Sequence, residues 1–131
     1  IEAAPGKGAR RAMRLQVSAP FHCSLMQPAA DAMAEALAAT APAIPAVPVV
    51  TNVTASQVSD PATIRDRLIE QVTAMVRWRE SCLFMQSQGV DTLIELGAGK
   101  VLTGLTKRIH PELAGVAAGT PAEIEALAKT L

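Results

Sequence analysis

The sequence predicts an α/β fold, in which a β-sheet is covered by helices. Segments with the two-residue period of strands alternate with segments with the 3.6-residue period of helices along the chain. Asp-Pro and Thr-Pro pairs, which often open helices, stand at two of the breaks. Half of the 131 residues are apolar, which is enough for one core and too little for two full domains. The predicted order of elements is β-α-β-α-α-β-α-β-α.

The first strand and the first helix follow from local patterns. Arg11–Ala19 alternates apolar and polar residues, which predicts a half-buried strand that Pro20 ends. A helix is expected over about residues 25–39. Ser24 and Gln27 have the spacing of a capping box at its start.

A proline-rich segment follows this helix. Pro42, Pro45 and Pro48 form a P-x-x-P-x-x-P pattern, which could bind an SH3-type groove or could act as a stiff connector. We favour the connector, because the β-branched run Val47–Val53 comes directly after it and is typical of a buried parallel strand.

Two helices are predicted next. The first opens at the pair Asp60-Pro61 and breaks near Thr73; the second covers Trp78–Gln88 and stops at Gly89. After Gly89 the pattern predicts a buried strand at Asp91–Leu96 and a helix through residues 101–109. A short edge strand is expected at Ala114–Ala118. A capping box of Thr120 and Glu123 then opens a last helix, which runs to Leu131.

Composition excludes several classes of function. The formal net charge is zero and the aromatic content is 2%, which argues against a nucleic-acid-binding protein. The longest apolar run, Ala41–Val50, has ten residues and three prolines and is too short to span a bilayer. Cys23 and Cys82, with no secretory signal, predict free thiols in a reducing compartment. We therefore expect a soluble, cytoplasmic protein with no membrane or nucleic-acid partner.

The beginning of the chain has its own signal. There is no initiator Met, and residues 1–4 look like the tail of a helix that ends near Gly6 or Gly8. This pattern predicts a fragment or a processed product.

The candidate catalytic residue is His22, in the run Val17-Ser18-Ala19-Pro20-Phe21-His22-Cys23-Ser24-Leu25-Met26. It lies between a predicted strand and a predicted helix, where α/β enzymes often hold a general base, although a lone histidine is more often structural. No serine lies in a G-x-S-x-G elbow, so the sequence contains a possible base without the matching nucleophile. A Cys23–His22 pair is disfavoured, because adjacent side chains diverge.

Other chemistry finds less support. His22, Cys23, Cys82 and His110 match no zinc spacing, so no metal is expected. The turn Gly97-Ala98-Gly99-Lys100 lacks both the earlier glycine and the Ser or Thr of a phosphate-binding P-loop. It could still hold an anion at a helix N-terminus, and a tight strand-to-helix turn is the favoured interpretation.

A basic group near the N-terminus allows two interpretations. Lys7, Arg10, Arg11 and Arg14 could contact an acidic protein partner or could be ordinary surface charge.

Four motifs, in order, resemble malonyl-CoA:acyl carrier protein transacylases. They are the histidine run above, Pro48-Val49-Val50-Thr51-Asn52-Val53, the segment Leu68-Ile69-Glu70-Gln71-Val72 with Val76-Arg77-Trp78, and Ile94-Glu95-Leu96-Gly97-Ala98-Gly99-Lys100-Val101-Leu102-Thr103-Gly104-Leu105. The resemblance covers the chain from about Arg10 to its end.

The resemblance implies a fold and a division of the chain. Residues 1–17 would be the last piece of an inserted ferredoxin-like small subdomain. Residues 18–131 would be the C-terminal half of an α/β-hydrolase-like large subdomain. The nucleophilic serine, the oxyanion-hole donors and the arginine for the malonyl carboxylate would belong to the N-terminal half of the same enzyme.

The resemblance also implies a reaction. A malonyl group would pass from malonyl-CoA to a serine and then to the phosphopantetheine thiol of acyl carrier protein, in fatty-acid biosynthesis and without a cofactor. His22 would be the general base, and the main-chain carbonyl of Gln71 would orient it in place of a triad carboxylate. The chain alone would be inactive. Two alternatives remain: part of a polyketide synthase acyltransferase domain, or a non-catalytic binding or assembly module.

Overall fold

The computed structural model of the chain, which describes residues 1–14 and 16–131, has an α/β fold. Its helices are α1 (Gln27–Ala39), α2 (Pro61–Glu70), α3 (Trp78–Ser87), α4 (Val101–Ile109) and α5 (Pro121–Ala128), with short 3-10 turns at Pro5–Lys7 and Ser24–Met26. Its strands are β1 (Val49–Val50), β2 (Gln57–Val58), β3 (Thr92–Leu96) and β4 (Ala114–Ala118). β1 pairs with β2 antiparallel, and β3 pairs with β4 parallel.

Side-chain caps define the starts of two helices. The Asp60 carboxylate accepts the Thr63 N–H at 2.8 Å in front of α2. Thr120 and Glu123 form a reciprocal capping box in front of α5. Both caps confirm the sequence-based expectation, because they depend on residues three apart and need no distant partner. The start of α1 differs: Met26 is its N-cap and no side chain caps it.

The β3-α4-β4 unit is the most regular part of the molecule. Thr92 lies opposite Ala114 and Leu96 opposite Ala118, so the two strands pair over their whole length. α4 packs against β4 at Gly115, where a Cβ atom would lie 2.9 Å from the Thr106 Oγ1 atom. A parallel pair with a helical crossover is the βαβ arrangement that the alternating pattern predicted.

Several predicted elements differ from the structure. The last helix ends at Ala128 rather than at Leu131, and β3 begins at Thr92 and has no fully buried residue, although a buried strand was predicted at Asp91–Leu96. The strand over Arg11–Ala19 is wrong: residues 11–14 and 16–19 are not in a strand, and Leu15 lies outside the described residues. The buried parallel strand predicted over Val47–Val53 is reduced to β1, which is half-buried and pairs antiparallel with β2, a strand that was not predicted. The second helix ends at Glu70 rather than near Thr73. An alternating pattern becomes a strand only where a partner pairs with it, and no described strand pairs with residues 11–14 or 16–19.

The buried side chains form small clusters. Ala30 of α1 and Ile64 of α2 are buried where these two helices pack together. Cys82 and Leu113 are fully buried. Burial raises the pKa of the Cys82 thiol, and Cys23 and Cys82 are both free thiols, as predicted. Leu96 at the end of β3 is 63% exposed, so the apolar strand residues are only partly covered.

Within the described part of the chain, no helix has both the length and the apolar character needed to cross a membrane.

Candidate active site

His22 lies in a tight turn between Pro20 and the 3-10 turn that leads into α1. Its φ is +58°, in the left-handed region that side chains other than glycine occupy at a cost of about 1–2 kcal/mol. The Cys23 thiol donates to the Pro20 carbonyl at 3.0 Å and closes this turn. Backbone strain of this kind tends to occur where a side chain must point in a required direction. The imidazole itself is exposed.

Gln71 supplies the partner of this imidazole. The Nδ1 atom of His22 lies 2.9 Å from the main-chain carbonyl oxygen of Gln71, 49 residues along the chain. A carbonyl oxygen can only accept a hydrogen bond, so Nδ1 carries the proton and donates it. In the neutral ring, Nε2 is then the unprotonated nitrogen that can accept a proton.

The Gln71 carbonyl can take this role because α2 ends immediately before it. The N–H of Ala74 bonds to the Glu70 carbonyl, and a turn over residues 71–74 replaces the helix. The last carbonyls of a helix have no partner within it and need another donor. They also carry partial negative charge, which favours a cation at this position.

Asn52 joins the same cluster from the loop after β1. Its side-chain Nδ2 donates to Gln71 Oε1 at 2.8 Å. Its main-chain carbonyl accepts the Arg77 N–H at 2.9 Å. Asn52 was predicted only as part of a strand; a polar Thr51-Asn52 pair in an otherwise apolar run is the signal that could have singled it out.

A cavity of about 170 Å³ adjoins this cluster. Its walls are Val49, Val50, Thr51, Asn52, Ile64, Arg67, Leu68 and Gln71. Arg67 forms an ion pair with Glu70, so its charge is partly balanced at this edge. The cavity thus borders Gln71, whose side chain accepts a hydrogen bond from Asn52.

The glycine-rich turn at 97–100 does not offer an anion site. The Glu95 carboxylate accepts the Leu102 N–H at 3.2 Å and the Thr103 N–H at 2.8 Å, and the Thr103 hydroxyl donates to it at 2.7 Å. These bonds, the Thr103 hydroxyl foremost, hold the pKa of Glu95 below its ordinary value. Two N-terminal donors of α4, the N–H groups of Leu102 and Thr103, are therefore bound within the chain, which favours a turn that only connects a strand with a helix.

The other candidate residues are not brought together. Within residues 1–14 and 16–131, no group of three His, Cys, Asp or Glu side chains is close enough to hold a metal ion. His110 ends α4, where its Nδ1 lies 3.4 Å from the Glu112 N–H. Of the predicted site residues, the structure thus brings His22 and Gln71 into contact.

The chain is similar in sequence to curated enzymes named malonyl CoA-acyl carrier protein transacylase. It is 48% identical to the one from Salmonella typhimurium over 119 residues, which are 91% of this chain and 38% of that protein. It is 43% identical to the one from Bacillus subtilis over 130 residues, which are 99% of this chain and 41% of that protein. The chain thus spans about two fifths of the length of these relatives. No family model matches it.

Solved structures agree with the sequence comparison. The acyl-carrier-protein-S-malonyltransferase from Bartonella henselae superposes with a TM-score of 0.84 at 49% identity, over 98% of this chain and 41% of that one. A malonyl-transacylase solved in complex with a type II polyketide synthase acyl-carrier protein superposes with a TM-score of 0.81 at 43% identity, over 98% of this chain and 42% of that one. The chain therefore belongs to the malonyl CoA-acyl carrier protein transacylase family, of whose members it spans about two fifths.

Proposed function

We propose that this chain is the histidine-bearing, C-terminal part of an enzyme that moves a malonyl group from malonyl-CoA to acyl carrier protein. The observation that carries the proposal is the 2.9 Å contact between His22 Nδ1 and the Gln71 carbonyl, in a chain of this family. In this assignment His22 is the general base and Gln71 orients it. Residues 1–17 belong to a small ferredoxin-like subdomain, and residues 18–131 belong to the large α/β subdomain.

The proposed reaction has two similar halves. His22 Nε2 accepts the proton of a serine hydroxyl as the serine oxygen attacks the thioester carbonyl of malonyl-CoA. The tetrahedral intermediate expels the coenzyme A thiolate, which takes the proton back from the imidazolium. The phosphopantetheine thiol of acyl carrier protein then gives its proton to His22 and attacks the malonyl-serine ester. The serine oxygen leaves and recovers the proton.

The Gln71 carbonyl has a limited part in this scheme. It keeps the proton on Nδ1 and so leaves Nε2 free to act. A carbonyl at a helix C-terminus also favours the imidazolium that forms during each half, although less than a full carboxylate charge would. Because the contact is made by the main chain, Gln71→Ala should be milder than His22→Ala.

The serine comes from outside this sequence, which has no G-x-S-x-G elbow. The arginine for the malonyl carboxylate is likewise assigned to the other part of the enzyme. Arg77 pairs with Glu80 at 3.3 Å at the start of α3, which supports leaving it out of that role. We therefore expect the 131 residues alone to transfer no malonyl group.

A chimera tests the proposal. The matched 130 residues of this chain would replace their counterparts in the Bacillus subtilis relative. Transfer of labelled malonyl from malonyl-CoA to phosphopantetheinylated acyl carrier protein is then measured. His22→Ala should lower kcat at least ~10²-fold, the lower end for loss of a general base. His110→Ala is the matched control and should leave the rate unchanged.

Two results would refute the proposal: an inactive chimera that is nevertheless folded, or near-normal turnover by the His22→Ala variant. Activity of the unmodified chain on its own would refute the assignment of the serine to another part of the enzyme.

A second candidate function is malonyl transfer to an acyl carrier protein of polyketide synthesis. It is favoured by the solved relative that is bound to a type II polyketide synthase acyl-carrier protein. Comparing kcat/KM of the chimera for carrier proteins of fatty-acid and polyketide synthesis decides between the two pathways.

A further inference from the structure

The Gln71 carbonyl lies in a segment without helix or strand. α2 ends at Glu70 and α3 begins at Trp78, and residues 71–77 between them contain only turns and irregular backbone. The turn is closed by bonds from the Val72 N–H to the Ile69 carbonyl at 3.2 Å and from the Thr73 and Ala74 N–H groups to the Glu70 carbonyl at 3.2 and 3.0 Å, none of which involves the Gln71 carbonyl. The position of the Gln71 carbonyl, which accepts from His22, must therefore depend on contacts from elsewhere in the chain.

Asn52 binds both ends of this segment. Its side-chain amide donates to Gln71 Oε1 at 2.8 Å, and its carbonyl accepts the Arg77 N–H at 2.9 Å. The segment is thereby held at its first and last residues by one residue from a different part of the chain. Only the bond to Gln71 depends on the identity of the Asn52 side chain.

The loop that carries Asn52 is itself well fixed. Thr51 is only 7% exposed, and its hydroxyl lies 2.7 Å from that of Thr54. Ser56 donates to the Thr54 hydroxyl at 2.8 Å, and the Ala55 N–H donates to the Thr51 carbonyl at 2.9 Å. A network of this kind gives Asn52 a fixed position from which to hold Gln71.

We propose that Asn52 is a positioning residue for the general base: it holds the Gln71 side chain so that the Gln71 carbonyl meets His22 Nδ1. This inference rests on the proposed function for its effect on rate, and on the contacts alone for its effect on the imidazole. Without the amide, residues 71–74 can shift, the carbonyl leaves Nδ1, and the imidazole proton is shared between the two ring nitrogens. Nε2 is then free in only part of the molecules.

The expected effect is on kcat. A hydrogen bond of this kind contributes about 1 kcal/mol, so Asn52→Ala should lower kcat in the chimera about fivefold. KM for malonyl-CoA should stay within about twofold, because Asn52 acts through Gln71 rather than on the substrate. Gln57→Ala, an exposed amide on β2, is the control and should change neither constant.

Three further variants separate positioning from a general structural role. Gln71→Met keeps the length of the side chain and removes the acceptor, so it should match Asn52→Ala. The double variant Asn52→Ala/Gln71→Met should be no slower than either single variant, because both remove one interaction. Gln71→Glu keeps an acceptor for the Asn52 amide and should retain a fixed carbonyl.

The imidazole is observed directly by long-range ¹⁵N–¹H NMR of the full 131-residue chain, which does not require activity. The unmodified chain should show the Nδ1–H tautomer of His22, and Asn52→Ala and Gln71→Met should both show a mixture. An unchanged tautomer in these variants, additive losses in the double variant, or a rise in KM equal to the fall in kcat would each overturn the proposal. If Asn52→Ala does not fold, Gln71→Met decides. An unmodified chimera that folds but is inactive would refute the proposed function and leave the NMR result to decide on Asn52.

Discussion

Gly115 offers a quantitative test of the packing between β4 and α4. A Cβ atom at this position would lie 2.9 Å from Thr106 Oγ1, 3.0 Å from Thr103 Cγ2 and 3.2 Å from the Thr103 carbonyl oxygen. The side-chain atoms can move slightly, but the carbonyl belongs to the helix and cannot. We therefore expect Gly115→Ala to force α4 away from the sheet.

The net change in stability on Gly115→Ala combines two effects of opposite sign. Overpacking a well-filled site costs about 1–3 kcal/mol. Replacing glycine restricts the unfolded chain and returns about 0.4–1 kcal/mol. Overpacking outweighs the restriction of the unfolded chain, so the free energy of unfolding should fall by about 1–2 kcal/mol.

Gly104 is the matched control for this substitution. It lies within α4, and nothing is within 4 Å of where its Cβ would be. Gly104→Ala should therefore stabilise the chain by about 0.5–1 kcal/mol through helix propensity. The two substitutions add the same methyl group and should change the free energy of unfolding in opposite directions.

Urea unfolding of the chain, followed by fluorescence, measures both variants. Trp78 is the one tryptophan in the sequence, and it lines a small cavity with Thr103 and Thr106 beside α4. With a slope of about 1–3 kcal/mol per molar urea, the Gly115→Ala midpoint should fall by about 1 M. A midpoint at or above that of the unmodified chain, or equal losses for both glycines, would refute the packing argument.

Three other predictions concern charge and backbone strain. The pKa of Glu95 lies below its ordinary 4.5, so its contribution to stability is present above that pH and is lost as the pH falls through the lowered value. Glu95→Gln should therefore flatten the loss of thermal stability below about pH 4.5, and a curve parallel to that of the unmodified chain would contradict this. Reversing Arg10 and Arg11 to Glu in the chimera should raise KM for acyl carrier protein, whereas Arg79→Glu should not; an unchanged KM would rule out docking at this basic group. Ala55 has a φ of +51°, so Ala55→Gly should leave stability unchanged or raise it by up to about 1 kcal/mol, and a clear loss in urea unfolding would contradict the strain.

The sequence was sufficient where structure depends on near neighbours. The caps at Asp60 and Thr120, and the bounds Ala114–Ala118 of β4, were predicted because turn and cap residues mark them locally. The strand over residues 11–19 and the extent of β1 could not be predicted, because a strand requires a partner that local sequence does not identify. The end of α2 at Glu70 was placed too late, near Thr73, because no glycine or proline marks it in residues 70–74.

Local sequence also predicted only part of the candidate site. Placement in the chain made His22 a candidate base, and only the family resemblance indicated Gln71, since a main-chain carbonyl leaves no mark on residue type. Asn52 was missed, because its partner lies 19 residues away and its side chain resembles an ordinary loop amide.

The contact between His22 and a main-chain carbonyl has a consequence for how the proposed enzyme responds to acid. In a Ser-His-Asp triad, carboxylate and imidazole titrate as a coupled pair, so acid affects both the base and the group that orients it. The Gln71 carbonyl keeps the same charge at every pH at which the chain is folded. The charge of the group that orients the ring is therefore independent of proton concentration.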